Sequence, residues 1–330
     1  MTAAGLDPAS WNLLTSASIT HSFVAGTTLS DLADGDPRIV VLGADLKYSN
    51  RTSDFAERHP GRFFNLGIAE QNMMSVAAGM ASFGLIPYVG TFASYAGLLC
   101  AEQIRTDLAY TGMRVRVLAH HAGISLGYYG TSHHATEDVA ILRSIAGVTV
   151  VAPCDARSLD AALRQTVEVP GPVYLRLGRG RDPDVYQPGT IGAWRLGRAH
   201  WLSEGADLAV LAYGSTVAPA LAAARTAAAD GITVAVADVH TLKPLDHEAI
   251  ERAAGAAHGI LVAEEHNTIG GLATAVADVL VTRGIRARLH RIGIPDEYAP
   301  VGPPTHLYRH YGLDAPGILA RIRELTAGRD

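Results

Sequence analysis

The sequence predicts an α/β protein with two three-layer α/β/α domains, each built on a mostly parallel sheet. Short β-rich runs alternate with Ala- and Leu-rich stretches of helical length along the chain, a pattern typical of parallel strands covered by helices. Hydrophobic residues make up 48% of the 330 residues and charged residues 18%, which leaves enough apolar surface for two cores. One segment rich in Gly, Pro and charge interrupts the alternation near the middle of the chain.

The first half contains five predicted strands, which are residues 38–43, 86–91, 115–120, 148–152 and 173–176. The predicted helices between them are residues 69–83, 94–110, 136–145 and 155–167. Thr136 and Asp155 are predicted N-caps, because a side-chain oxygen at that position accepts a hydrogen bond from a free amide of the first turn.

Residues 178–192 are predicted to be a linker, after which the alternation resumes. The predicted strands of the second half are residues 207–213, 233–238, 259–264 and 286–292. Its predicted helices are residues 215–229, 246–256, 271–283 and 315–325. We therefore expect one domain over residues 1–185 and a second over residues 186–330.

Charge and cysteine content exclude several classes of protein. A net charge of −5 argues against nucleic acid or a membrane surface as the partner, since such proteins need clustered Lys and Arg. Cys100 and Cys154, the two cysteines, exclude a disulfide framework or a zinc ribbon and favour a reducing cytoplasm. No signal peptide and no apolar run of about 20 residues is visible, so we expect a soluble cytoplasmic protein.

Glu70 is the first candidate functional residue. It lies in FNLGIAEQNMMSVAAGM, where an apolar strand end passes into a helix. A carboxylate among apolar groups is costly to ionise, and such groups are used to hold or donate protons. The alternative is that Glu70 only complements the helix dipole.

Phe92 and Tyr95 lie three residues apart in IPYVGTFASYA, where a strand passes into a helix. They can face the same side and stack on a flat heterocycle, although core packing is the commoner fate of such a pair. Asp45 and Ser49, in GADLKYSN, offer an acceptor and a hydroxyl in another strand-end loop, where a turn-forming Asp is the simpler interpretation.

Two histidine pairs frame a glycine-rich loop in HHAGISLGYYGTSHHATED, namely His120–His121 and His133–His134. The loop follows a predicted strand, and ligands bind at the carboxyl ends of strands in open parallel sheets. Imidazoles titrate near physiological pH and can move protons. The two pairs leave a metal site open as an alternative, but no Asp, Glu or Cys at metal-ligand spacing gives it strong support.

Together these segments resemble the C-terminal half of transketolase, as found in the smaller subunit of split, two-gene transketolases. The combination of GIAEQN, TFASY, HAGISLG…GTSHH and ATEDVAILRSI carries the resemblance. The second half adds DVHTLKPLD, AEEHNTIGGLATAVAD and GIPDEYAPVGPPTHLYRHYGLDA, so that nearly the whole chain is covered.

The resemblance implies thiamine diphosphate as the cofactor. Glu70 matches the family glutamate that hydrogen-bonds the aminopyrimidine ring and promotes its imino form. Phe92 and Tyr95 match the aromatic residues beside the pyrimidine, with Tyr95 replacing the more usual Phe. Asp45 matches an aspartate that contacts the cofactor.

The resemblance also implies a substrate channel for sugars or sugar phosphates. His121 and His133 match histidines that position hydroxyls and move protons, and we expect Tyr129 and His134 beside them. Ser49 and Arg179 match residues that bind the phosphate end of the substrate. His21 stands where the family has a phosphate-binding Arg, and Tyr128–Tyr129 stands where it has Glu-Asp. These departures point to non-standard substrates.

A partner subunit is implied as well. The family holds Mg²⁺ and the diphosphate with a GDG motif followed by Asn some 25–30 residues later, and this chain instead has ADGDP at residues 33–37. We therefore expect the metal and the diphosphate-binding domain on another polypeptide, in an α₂β₂ assembly. Alternatives are the β subunit of a 2-oxo acid dehydrogenase E1 component, a 1-deoxyxylulose-phosphate-synthase-like enzyme, and a non-catalytic scaffolding subunit.

Overall fold

The computed structural model describes residues 21–179, 182–187 and 191–327, in which strands and helices alternate. The described strands are β1 (Ile39–Gly43), β2 (Phe63–Asn65), β3 (Ile86–Phe92), β4 (Arg116–His120), β5 (Thr149–Val151), β6 (Val173–Arg176), β7 (His200–Ser203), β8 (Leu208–Ala212), β9 (Val234–Asp238), β10 (Thr241–Lys243), β11 (Ile260–Asn267) and β12 (Leu289–Ile294). The described helices are α1 (His21–Gly35), α2 (Ser53–Arg58), α3 (Glu70–Ser82), α4 (Ala101–Gln103), α5 (Asp138–Ser144), α6 (Ala156–Thr166), α7 (Val217–Ala228), α8 (His247–Ala253), α9 (Leu272–Thr282), α10 (Pro304–His310) and α11 (Ala315–Thr326).

These strands form two sheets. The first has the order β10-β5-β6-β4-β3-β1-β2 and the second the order β12-β11-β8-β9-β7. All neighbouring strands are parallel except two edge pairs, β10 with β5 and β7 with β9, which are antiparallel. The predicted fold class, with two mostly parallel sheets, is confirmed.

Helices cover both faces of the sheets. In β1, Val40 and Leu42 belong to one buried hydrophobic cluster, whereas Ile39 and Val41 belong to another. Alternate residues of a strand point to opposite faces, so burial of all four requires cover on each side. This explains why the strands of the sheet centre are continuous apolar runs in the sequence.

Three short strands were not expected from the sequence: β2, β7 and β10. Each lies at the edge of a sheet and has only three or four residues, too few to give a periodic signal. Strand β10 also belongs to the second half of the chain, yet it completes the first sheet through Thr241 opposite Val151. The division at residue 185 stays a prediction.

The two predicted N-caps have different outcomes. The Asp155 carboxylate accepts a hydrogen bond from the Ser158 amide at 2.8 Å in a capping box at the start of α6, as predicted. The prediction for Thr136 was wrong, because α5 begins at Asp138 and follows Glu137. The carbonyl of Thr136 accepts a hydrogen bond from the Asn267 amide at 2.8 Å and does not begin the helix.

The predicted helix over residues 94–110 is helical but irregular. Wider π-helical turns, Tyr95–Leu99 and Ile104–Ala109, flank the single α turn of α4. Such insertions are frequent at functional sites, and this one begins at Tyr95, one of the candidate residues. Among the described residues, no helix is long and apolar enough to cross a membrane.

Candidate active site

The candidate residues converge at the carboxyl ends of β1, β3 and β4. These strands are adjacent and parallel, so their carboxyl ends lie along one edge of the first sheet. Asp45, Arg51 and His121 follow β1 and β4 with left-handed backbone angles, φ of 60°, 55° and 60°. A non-glycine residue in that region costs about 1–3 kcal/mol and is held there by its surroundings. The strain therefore concentrates where the candidate residues lie.

Glu70 begins α3, and the residue is only 5% exposed. Its charge contributes to raising the pKa values of the Tyr95 hydroxyl and the Cys100 thiol, although burial is the larger cause for both groups. The carboxylate is thus an electrostatic neighbour of Tyr95.

A cluster of four rings forms the centre of the site. The ring centroids of Phe92 lie 4.8 Å from His121, 5.5 Å from His133 and 5.6 Å from Tyr95. The rings are tilted or edge-on to each other, as aromatic pairs prefer. Two aromatic residues at and just after the end of β3 are thus brought together with two histidines from residues 121–137, hereafter the histidine loop.

His133 is held by hydrogen bonds at both ring nitrogens. The Tyr95 hydroxyl lies 3.1 Å from Nε2, and the Ser132 hydroxyl lies 2.8 Å from Nδ1. The ring of Tyr129 lies 4.9 Å from that of His133 and is 60% exposed, so it forms the outer rim of the cluster. Burial lowers the pKa of His133 below its ordinary value.

His121 is buried and electrically neutral near pH 7. Burial lowers its pKa well below the ordinary value, and His120 and Arg179 add to this effect. Within the described ranges its Nδ1 atom is buried without a hydrogen-bond partner, a polar atom suited to a bound ligand. Burial also lowers the pKa of the neighbouring His134.

The remaining predicted residues, Arg179, Asp45, Ser49 and His21, do not belong to the ring cluster. Arg179 is half-buried and lies close enough to His121 to influence its pKa. Asp45 is exposed in the loop after β1, where its amide donates to the Asn65 side chain at 2.9 Å, and Ser49 follows, half-buried, in the same loop. His21 begins α1, and its side chain lies outside the described part of the structure.

Two buried groups that support the histidine loop were missed. Arg176 pairs with Asp138 at 2.9 Å and donates to the carbonyl of Ala135 at 3.1 Å. The Glu265 carboxylate accepts from the amide of Ile124 at 2.7 Å. These partners are separated by 38 to 141 residues, and no local pattern could reveal them.

The site fits the pyrimidine part of thiamine diphosphate. A nearly buried carboxylate, Glu70, is an electrostatic neighbour of the half-buried Tyr95. The imidazole of His121, with its unsatisfied Nδ1 atom, packs against Phe92 in the same ring cluster as Tyr95. Flat heterocycles bind between apolar walls with a few polar groups that fix their orientation. Among the described residues, no group of three His, Cys, Asp or Glu side chains could hold a metal ion.

Comparison with known proteins gives matches over both halves of the chain. The transketolase pyrimidine-binding domain model matches residues 17–183, and the transketolase C-terminal domain model matches residues 197–318. A split-gene transketolase, solved as an inactive β4 tetramer, superposes with a TM-score of 0.85 at 38% identity and covers 94% of this chain and 99% of its own.

Several relatives are separate polypeptides of similar length. A putative transketolase C-terminal section of Methanocaldococcus jannaschii is 38% identical over 91% of this chain and 94% of its own. One subunit of the apulose-4-phosphate transketolase of Phocaeicola vulgatus is 38% identical over 91% and 95%. The 6-deoxy-6-sulfo-D-fructose transketolase subunit SqwH of a Clostridium species is 38% identical over 90% and 92%. A 1-deoxy-D-xylulose-5-phosphate synthase of Geobacter metallireducens is 36% identical over 93% of this chain but 49% of its own length.

Proposed function

Because this chain belongs to the transketolase family, we propose that it is one subunit of a two-component transketolase and supplies the pyrimidine-binding side of the active site. The complex would move a two-carbon ketol unit from a ketose, or ketose phosphate, to an aldehyde acceptor. The observation that carries the proposal is the electrostatic proximity of Glu70 to Tyr95, whose ring belongs to a cluster with Phe92, His121 and His133.

Thiamine diphosphate would supply a nucleophilic carbon for addition to the ketose carbonyl. On this chain, Glu70 would hold the proton that is exchanged with the aminopyrimidine, while Phe92 and Tyr95 would pack against that ring. His121 is neutral because burial lowers its pKa, so it can accept a proton or a hydrogen bond from a sugar hydroxyl. His133 is oriented by Tyr95 and Ser132 for a similar task.

We propose that the diphosphate and Mg²⁺ are bound by a separate partner subunit in an α₂β₂ complex. Relatives of matching length are named as a transketolase subunit or as a C-terminal section, which supports a split enzyme.

For the substrate we propose a sugar or sugar phosphate outside the usual pentose phosphates. Arg179, Ser49 and His21 would bind its anionic end, and Tyr129 and His134 would line the channel. Tyr128–Tyr129 replaces the usual acidic pair, and two relatives are named for apulose 4-phosphate and 6-deoxy-6-sulfo-D-fructose. An anionic end other than a phosphate, such as a sulfonate, suits the same cationic and hydroxyl groups.

A synthase of the 1-deoxyxylulose-5-phosphate type is the second candidate, since such enzymes are also similar to this chain. It would join pyruvate to an aldehyde and release carbon dioxide. A 2-oxo acid dehydrogenase subunit would instead reduce an artificial electron acceptor in the presence of a 2-oxo acid.

Reconstitution tests these alternatives. The chain is co-purified with a candidate diphosphate-binding subunit, and the complex is given ketose donors, including sulfonated ones, with an aldehyde acceptor. Ketol transfer without release of carbon dioxide supports the proposal, and pyruvate-dependent release of carbon dioxide contradicts it. Calorimetric titration of the chain alone should detect no Mg²⁺-dependent binding of thiamine diphosphate at micromolar concentrations; such binding would refute the split site.

A further inference from the structure

The histidine loop is attached at its start to the C-terminal half of the chain. Oε1 of Glu265, on β11, accepts hydrogen bonds from the Ile124 amide and the Tyr308 hydroxyl, each at 2.7 Å. Its other oxygen, Oε2, accepts from the Ser215 hydroxyl. One carboxylate thus joins the histidine loop to β11, to α10 and to the turn that precedes α7.

The carboxylate occupies space that the loop leaves for it. Gly123 has a φ of 60°, and a Cβ built there would lie 2.2 Å from Cδ of Glu265. Only glycine allows the backbone to approach the carboxylate this closely. The Gly123 and Ala135 backbones bond to each other, with N–O distances of 3.1 and 2.9 Å, so the same contact also fixes the end of the loop.

Burial makes this contact strong. Glu265 is 1% exposed, and three donors share its two oxygens. Removing the acceptor leaves the buried amide of Ile124 and two half-buried hydroxyls without this partner, which costs more than the net worth of an ordinary hydrogen bond. The start of the loop is therefore tied to a side chain that lies outside the ring cluster.

We propose that Glu265 is a positioning residue for the reaction: it fixes Gly123 and Ile124 and thereby places His121 and His133 against Phe92. This inference rests on the proposed transketolase function, and it assigns to the C-terminal half a part in the chemistry.

Two variants of the full chain test it. Glu265→Ala should speed amide hydrogen exchange in residues 121–135 at least about tenfold and leave exchange in α6 unchanged. In the reconstituted complex it should lower kcat by about 100-fold, the effect of a displacement of about 1 Å in a site, with little change in cofactor affinity. Glu265→Gln should restore activity to within about threefold, because its carbonyl oxygen still accepts from Ile124 and Tyr308, and the Ser215 hydroxyl can accept from its amide.

If Glu265→Ala does not fold, two matched tyrosine substitutions, Tyr308→Phe and Tyr311→Phe, test the proposal instead. Tyr308→Phe removes one of the three donors and should speed loop exchange and lower kcat by a few fold. Tyr311→Phe removes a hydroxyl that donates to Glu297 at 3.1 Å, at the end of the same helix, and should change neither quantity. Equal effects of the two substitutions would overturn the proposal, as would faster exchange spread over the whole chain.

Amide hydrogen exchange in the loop and turnover by the complex distinguish failure of this inference from failure of the proposed function. A wild-type complex without ketol transfer would refute the proposed function, whereas loop exchange, which needs no turnover, would still report the attachment. An active wild-type complex whose Glu265→Ala variant keeps its kcat would refute the positioning role alone.

Discussion

The hydroxyl of Tyr95 lies 3.1 Å from Nε2 of His133 and links the aromatic pair after β3 to the histidine loop. Tyr95 stands where the transketolase motif usually has Phe, and a Phe there could contact His133 only through its ring. The tyrosine hydroxyl adds a hydrogen bond to this ring contact. Tyr95→Phe should preserve the packing at the pyrimidine, leave thiamine diphosphate affinity of the complex unchanged and lower kcat by about three- to tenfold, the effect of one hydrogen bond. Calorimetry and steady-state kinetics measure both quantities. A large loss of cofactor affinity would show that the hydroxyl acts on the cofactor instead.

Glu70→Gln should abolish ketol transfer, lowering kcat at least about 100-fold, because an amide cannot exchange a proton with the aminopyrimidine. Folding should be retained, since Gln is close to Glu in size and helix propensity. Glu102→Gln is the matched control: Glu102 is exposed and pairs with Arg105 at 2.8 Å, so its loss should leave activity unchanged. Wild-type turnover by the Glu70 variant would remove Glu70 from the mechanism.

The pH profile of kcat/KM should contain no loss of activity from protonation of His121 above pH 6. Burial lowers the pKa of this imidazole well below its usual value near 6.5, so the neutral form persists as the pH falls through that range. The measurement is the profile of the reconstituted complex from pH 5 to 8. An acid limb centred near pH 6.5 that disappears in His121→Asn would contradict the assignment.

Stability should depend on pH through Asp238, at the end of β9. Burial raises its pKa from 3.8 to about 7, while Tyr186 donates to it at 2.8 Å. The folded state thus binds a proton that the unfolded state has released, so the contribution of Asp238 to stability falls as the pH rises from about 4 to about 7 and is constant above that. Asp238→Asn should remove this loss, a relative gain of the order of a few kcal/mol at pH 8, read as the difference in thermal unfolding temperature at pH 5 and 8. If the variant and the wild type differed in unfolding temperature by the same amount at pH 5 and at pH 8, protonation of Asp238 in the folded state would be refuted.

The sequence predicted local features more accurately than distant contacts. Asp155 was identified as a cap because Asp followed by Ala-Arg at the start of a helical stretch is a local pattern, and the central strands because each is a continuous apolar run. Strands β2, β7 and β10 have no such signal, since an edge strand is defined by its neighbour. Thr136 has the chemistry of a cap, but the helix begins at Asp138, and the Thr136 carbonyl accepts a hydrogen bond from the distant Asn267 amide.

The same distinction between local and distant features holds for the candidate site. Glu70, Phe92, Tyr95, His121 and His133 belong to compact motifs, and the fold brings them together. The supporting groups Arg176 and Glu265 meet the loop only after the chain has folded. Their roles depend on burial and on distances between remote residues, which a linear pattern does not contain.

The pairing of β10 with β5 has a consequence for biosynthesis. The edge of β5 acquires its neighbour only when Thr241–Lys243 has been made, about 90 residues after β5 itself. At synthesis rates of about 5–20 residues per second, that edge stays open for seconds on a growing chain. Exposed edges invite pairing with other chains, so a nascent chain stopped before residue 241 should be the aggregation-prone species.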